Sequence, residues 1–278
     1  YMGGKKKFLP KEPIEGVMWD FDDTMYRPRK EMQMAIKQLI YKEVEEKLGV
    51  KEAAALYETT KEKTGGNVAA LITLHMDPYT YSKIFREVAK EHLKEDKQLV
   101  GLFDALKEYD HMLVTNNSTP VVLEACELLG LKPFSEYFLG IIGLETLLPD
   151  DYKPSTKPWQ KALDAAGMAG TPQRCLAVGD SIEKDILPAK SLGMYTAYVT
   201  WGNTDFNQET PHFCAEEVYG MEALLRSIDI VPANPLNEFD EKESAPKHGI
   251  EEAVREKHEM EKERKKTKAE SEGRRCGL

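Results

Sequence analysis

Nowhere in this 278-residue chain is there an apolar run near the roughly 20 residues that cross a bilayer. No membrane span is expected, and Lys5, Lys6 and Lys7 have no apolar segment after them to make a secretory signal. A basic excess is also missing. There are 48 acidic against 38 basic residues, a net charge of −10, which argues against a general nucleic-acid binder with its basic footprint. The four cysteines, Cys126, Cys175, Cys214 and Cys276, show neither metal-ligand nor redox spacing. They read as free thiols in a reducing, cytoplasmic setting. His75, His92 and His111 share no ligand spacing and read as surface or packing residues, and the three tryptophans form no stacking pattern.

What is present is an ordinary globular composition, 41% hydrophobic and 9% aromatic, with enough length for one or two domains. The apolar run Val17–Trp19 ends in Asp20, Asp22 and Asp23, followed by Thr24. It reads as a buried strand whose tip lies in a cleft. Three clustered acids are costly without a cation, although an acidic cap on the next helix would also explain them. From Pro28 to about Leu93 only helical patterns occur. Met34, Leu39, Ile40, Val44 and Leu48 roughly follow helical spacing, with stops at Gly49 and in Thr64-Gly65-Gly66-Asn67. This insertion, residues 28–95, is large enough to be a small domain.

From Leu99 helices alternate with short strands, at His111–Thr115, Leu139–Gly143, Cys175–Val178 and Tyr195–Val199, with a last strand near Phe213–Val218 and a helix at Met221–Ile228. That alternation specifies an α/β fold, a Rossmann-like doubly wound parallel sheet. The expected division is a discontinuous core, 12–27 and 96–230, the helical insertion 28–95, and a tail, 231–278. Residues 238–278 hold 12 acids and 11 bases with few large apolar groups, and read as disorder or a solvated helix.

Ligands of such sheets bind at the strands' carboxyl ends. The first strand delivers Asp20 and Asp22, and the second delivers Thr115-Asn116-Asn117-Ser118. A third delivers Gly179-Asp180-Ser181, with Asp185 a turn later, and Lys153 precedes the helix leading into it. Each has a plainer alternative: Thr115 as a helix cap, Lys157 in place of Lys153, and Asp185 as a surface acid.

This ordered set resembles the haloacid dehalogenase-like phosphohydrolase superfamily over roughly residues 15–228. Its Asp-x-Asp-x-Thr motif is met by Asp20, Asp22 and Thr24, and its strand-end hydroxyl by Thr115. Its lysine motif is met by Lys153 with Trp159 six positions on, and its acidic motif by Asp180 and Asp185. The resemblance implies an Mg²⁺-dependent phosphatase with Asp20 as nucleophile and Asp22 as general acid and base. Thr115, Asn116 and Lys153 would hold the phosphoryl group. The metal would be held by Asp20, the main-chain carbonyl of Asp22, and Asp180, with Asp185 as a ligand or beside one. The insertion 28–95 would be the superfamily's helical cap. Asp-Phe-Asp-Asp-Thr-Met-Tyr, ending at Tyr26, and the run Lys153–Leu163 resemble pyrimidine 5'-nucleotidase-like members, whereas Gly65-Gly66 replaces their usual Tyr-Gly. The expected partner is a small phosphomonoester, with no nucleic-acid polymer and no membrane. The alternatives are a sugar-phosphate mutase with the same chemistry, or a binding protein that recruits through its charged tail.

Overall fold

The computed structural model describes residues 9–208 and 210–228. The expectations for Lys5–Lys7, Cys276 and the tail 231–278 fall outside the described residues. Six strands form one parallel sheet in the order β3-β2-β1-β4-β5-β6. They are β1 (Gly16–Trp19), β2 (Asp110–Val114), β3 (Gly140–Ile142), β4 (Cys175–Gly179), β5 (Tyr195–Val199) and β6 (Phe213–Ala215). Strands β1 and β4 are the central pair, with Trp19 beside Val178, and both are buried along their whole length. An all-parallel sheet needs both faces covered, so its strands read as continuous apolar runs rather than alternating ones.

The two faces carry separate cores. On one side Val17, Trp19, Leu113 and Val178 pack with Phe103 of α5 (Lys97–Ala105), Val122 of α6 (Thr119–Leu128) and Leu225 of α9 (Met221–Ile228). On the other, Met18, Met112 and Ala177 pack with Trp159 of α7 (Lys157–Ala165) and Ala189 of α8 (Leu187–Ser191). Val17 and Trp19 therefore face away from Met18, as the two-residue period of a strand requires. The doubly wound architecture is the one read from the sequence.

Between β1 and α5 lie four helices, α1 (Lys30–Leu48), α2 (Ala53–Thr64), α3 (Asn67–Thr73) and α4 (Thr80–His92). Gly49 and Gly65 end α1 and α2 with φ of 66° and 80°, the left-handed region that glycine enters without a Cβ penalty. The buried stripe of α1 differs from the expected one. It is Met32, Ile36, Ile40 and Val44, at strict intervals of four, whereas Met34, Leu39 and Leu48 are exposed. Residues four apart stack on one helix face, so a single consistent row outcompetes a ragged one that includes them. Tyr57 and Phe85 of the insertion join the same apolar cluster as the β1 face. None of the described helices is long and apolar enough to cross a membrane.

Candidate active site

The chain leaves β1 at Asp20, whose N–H donates to Val178 O at 2.8 Å, tying the turn to β4. Thr24 and Met25 N–H both return to Phe21 O, and Asp23 takes φ 61°. This tight turn puts successive acids on different sides. The acids do not cap a helix: α1 starts seven residues after Asp23, and Arg29 at its N-cap makes no side-chain cap. Thr24 instead donates its hydroxyl to Asp20 Oδ2 at 2.8 Å.

Asp20, Asp180 and Asp185 each bring a carboxylate oxygen within 4.8 Å of the others. Between two of them sits Lys153, only 3% exposed. Its Nζ donates to Asp20 Oδ1 at 2.6 Å and to Asp185 Oδ1 at 2.8 Å, and it lies 4.8 Å from the Trp159 ring centroid. Asp185 Oδ2 accepts the Ser181 N–H at 3.0 Å. Position bears on the plainer alternatives for two residues. Lys157 is exposed at the start of α7, and Asp185 is 1% exposed inside the cluster.

Asp22 belongs to a different neighbourhood. Its carboxylate accepts from Tyr26 OH at 3.1 Å, from Asn117 Nδ2 at 3.3 and 3.4 Å, and from Thr115 Oγ1 at 3.4 Å. Thr115 is fully buried behind it and accepts the Asn117 N–H at 3.0 Å, so it orders the turn rather than capping α6. Asn116 makes a reciprocal pair with the Lys153 backbone, 2.9 Å each way. Its carboxamide therefore anchors the lysine loop. Asp23 stands apart, with Gln33 donating to its carboxylate and Trp201 Nε1 to its carbonyl.

Burial and like charge act together on these acids. Burial first, then the neighbouring Asp20 and Asp23, raise the Asp22 carboxyl to about 7. Burial followed by Asp20 and Asp185 pushes Asp180 well above the ordinary carboxylate range. Burial raises Asp185 to about 6, against the pull of Lys153. For Lys153, burial alone would lower the value, but Asp185 and Asp20 outweigh it and hold it at about 12. One permanent cation thus faces more negative charge than it can neutralise. A hard, all-oxygen donor set under mutual repulsion fits a divalent cation, because binding one removes that repulsion.

The cleft holding these groups has a volume of about 310 Å³. Its outer wall adds Lys61, Asn67 and Tyr81 from the insertion and Lys184 from the turn after β4. Sequence reading placed Asn117 and Ser181 at strand ends without giving them a role, and it missed Lys61 and Tyr81. For Asn117 a signal existed, since either asparagine after Thr115 could face the site and the strand pleat could not choose. For Lys61 and Tyr81 there was none, because their placement depends on how the insertion packs.

A doubly wound sheet with acids and a buried lysine at its carboxyl edge defines an α/β protein built for anion chemistry at its strand ends. The chain belongs to the haloacid dehalogenase-like hydrolase family, whose model matches residues 17–199. A curated relative, glyceraldehyde 3-phosphate phosphatase of Methanocaldococcus jannaschii, is 22% identical over 248 residues, 78% of this chain and 97% of its own. A HAD phosphatase structure from Thermococcus onnurineus matches with TM-score 0.58 and 19% identity, covering 76% of this chain and 98% of its own. The structure of CbbY from Rhodobacter sphaeroides in complex with phosphate matches with TM-score 0.56 and 17% identity, covering 75% and 96%. The expected enzyme class, a phosphatase of this family, is supported by the family match and the curated relative, and the two structures show the shared fold. None of the three is described as a nucleotidase.

Proposed function

We propose that the protein is an Mg²⁺-dependent phosphomonoesterase acting on a small phosphorylated metabolite through an aspartyl-phosphate on Asp20. The observation that supports this most is the separation of two carboxylate environments two residues apart. Asp20 sits with Lys153, Asp180 and Asp185, while Asp22 is held by Tyr26, Asn117 and Thr115. The roles then divide. Asp20, Asp180, Asp185 and the main-chain carbonyl of Asp22 would hold the Mg²⁺. When bound, the ion supplies positive charge that lets an anionic nucleophile approach an anionic ester.

Asp20 attacks phosphorus, and the ester oxygen departs with the proton that Asp22 carries. A carboxyl raised to about 7 is protonated in a substantial fraction of molecules near neutral pH and can both give and take the proton, as a general acid and base must. Water then attacks the acyl phosphate as Asp22 takes its proton, releasing inorganic phosphate and regenerating Asp20. Lys153 spends two of its three N–H groups on Asp20 and Asp185, leaving one for a phosphoryl oxygen. Thr115 and Asn116 complete that cradle. Residues 28–95 act as the cap over it, and a pyrimidine nucleoside monophosphate is the first substrate to try.

Phosphate release from a panel of nucleotides, sugar phosphates and p-nitrophenyl phosphate, with and without EDTA, tests this. Turnover is expected to require the metal and to fall at least ~10³-fold in Asp20→Asn. Wild-type turnover by that variant overturns the reading. Accumulation of an isomerised sugar phosphate in place of free phosphate would make the protein a mutase.

A further inference from the structure

Beside the catalytic cleft lies a second cavity of about 290 Å³, inside the helical insertion. The two share Asp23, Lys61, Asn67 and Tyr81 in their walls, so they adjoin at these residues. Its volume is near the ~300 Å³ floor of ligand pockets, the size for one small organic body. Half of its lining is apolar or aromatic, and Arg29, Gln33 and Lys37 add polar groups to the rest. Met32, Ile36 and Ile40 come from the buried stripe of α1, Tyr57 from α2, and Tyr26 and Tyr81 from its flanks.

The rings are held before any ligand arrives. Tyr81 stacks on Phe85 at 6.2 Å, Tyr26 lies 5.7 Å from Phe21, edge to face, and Tyr57 lies 6.1 Å from Tyr41, also edge to face. A preorganised aromatic wall favours flat ligands, since no side-chain freedom is lost when they stack.

The neck between the cavities is rich in donors. Lys37 is paired with Glu58 at 3.3 Å, but Lys61 has no ion pair or hydrogen bond through its amine among the described residues. Burial lowers its affinity for the proton, and the nearby Glu58 and Asp23 carboxylates offset that only in part. Asn67 accepts the Tyr57 hydroxyl at 3.0 Å, which fixes its carboxamide and leaves the amino group as a donor. An amine and an amide N–H₂ at a neck ask for oxygen acceptors on whatever passes between them.

We infer that this cavity is the leaving-group chamber, and that it takes a flat ring bearing carbonyl or carboxylate oxygens, read by Lys61 and Asn67 at its neck. This rests on the phosphomonoesterase reading and narrows it. A three-carbon leaving group would leave most of the chamber empty. A ring without acceptors would enter but leave the two donors unpaired.

The test compares kcat/KM for uridine 5'-monophosphate, phenyl phosphate and glycerol 3-phosphate in the wild type, Ile36→Phe and Lys61→Met, together with uridine binding by calorimetry. The expected wild-type order is uridine 5'-monophosphate, then phenyl phosphate, then glycerol 3-phosphate. Ile36→Phe, which fills the chamber, should cut the ratio of either ring ester to glycerol 3-phosphate about tenfold or more. Lys61→Met should cut the ratio of uridine 5'-monophosphate to phenyl phosphate, and both should weaken uridine binding. Unchanged ratios in both variants, or equal losses on all three esters, overturn the inference. Lys61 is only partly buried, so its variant keeps the test alive if Ile36→Phe does not fold. If no ester turns over with Mg²⁺ yet uridine binds the wild type and not the variants, the phosphatase reading fails while the chamber stands.

Discussion

At the scale of single residues, the sharpest question is what holds Asp22. Tyr26 donates to it at 3.1 Å, and its own ring is buried against Phe21 and Phe85, the latter on α4. A general acid contributes ~10²–10⁴-fold only when it is aimed at the leaving oxygen. Tyr26→Phe keeps the ring and removes the aim. We expect kcat on alkyl phosphates to fall about tenfold, with a smaller loss on p-nitrophenyl phosphate, whose leaving group needs little protonation. Equal losses on both would assign Tyr26 a packing role alone. Gly179 carries a second prediction. A Cβ there would sit 2.4 Å from Asp185 Cβ and 2.5 Å from its carboxyl, so only glycine lets Asp185 reach Lys153. Gly179→Ala should retain a cooperative melt while losing most activity and Mg²⁺ binding. The sequence named Asp20, Asp22, Lys153, Asp180 and Asp185 through motif order, and all five line one cleft. It did not distinguish Asn116, which holds the lysine loop, from Asn117, which holds Asp22, because that choice lies in one turn's backbone geometry.

At the scale of elements, β1 and β2 are stitched by a buried polar chain. Trp19 Nε1 donates to His111 Nδ1 at 3.0 Å, and His111 Nε2 lies 2.9 Å from Leu106 O at the end of α5. One ring nitrogen accepts while the other donates, so the ring is neutral, and burial lowers its affinity for a further proton. The folded value lies below the unfolded one. The contribution is therefore fully present above about 6.5, the ordinary histidine value, and is lost as pH falls through the folded value. Chemical denaturation from pH 8 to 5.5 should show wild type losing stability faster than His111→Gln. At pH 8 the variant should be less stable by ~1–3 kcal/mol. Parallel curves would remove His111 from the account. Element order was legible because buried parallel strands are short unbroken apolar runs, and β5 falls at Tyr195–Val199 as expected. Ends were less so. The helical segment after β4 opens as a π-helical turn, Ile182–Ile186. Asp185 and Ile186 N–H both return to Ser181 O, while Ser181 N–H binds the Asp185 carboxylate. That widened turn brings Asp185 back to the cluster, and such turns gather at functional sites. The strand expected over Phe213–Val218 stops at Ala215, and among the described residues β6 is an edge strand paired only to β5.

At the scale of the whole molecule, the metal cluster exists only when distant segments meet, since Asp20 and Lys153 are 133 residues apart in the chain. An ion held by the native state and not by the unfolded chain stabilises folding, by about 2.7 kcal/mol at a hundred times its dissociation constant. The chain's net charge of −10 complicates this, because any salt screens general repulsion and raises stability a little. Asp180→Asn separates the two effects. Burial and the charges of Asp20 and Asp185 disfavour the ionised Asp180 in the metal-free protein. Removing its charge should therefore leave the metal-free variant as stable as wild type or more so. With Mg²⁺ the order should reverse, because the variant has lost a ligand while wild type gains the binding energy. The measurement is the unfolding midpoint against MgCl₂ at constant ionic strength, with EDTA as the zero point. Crossing curves are expected. If wild type and Asp180→Asn rise together, the cation is only screening surface charge, and the three carboxylates do not form a metal site.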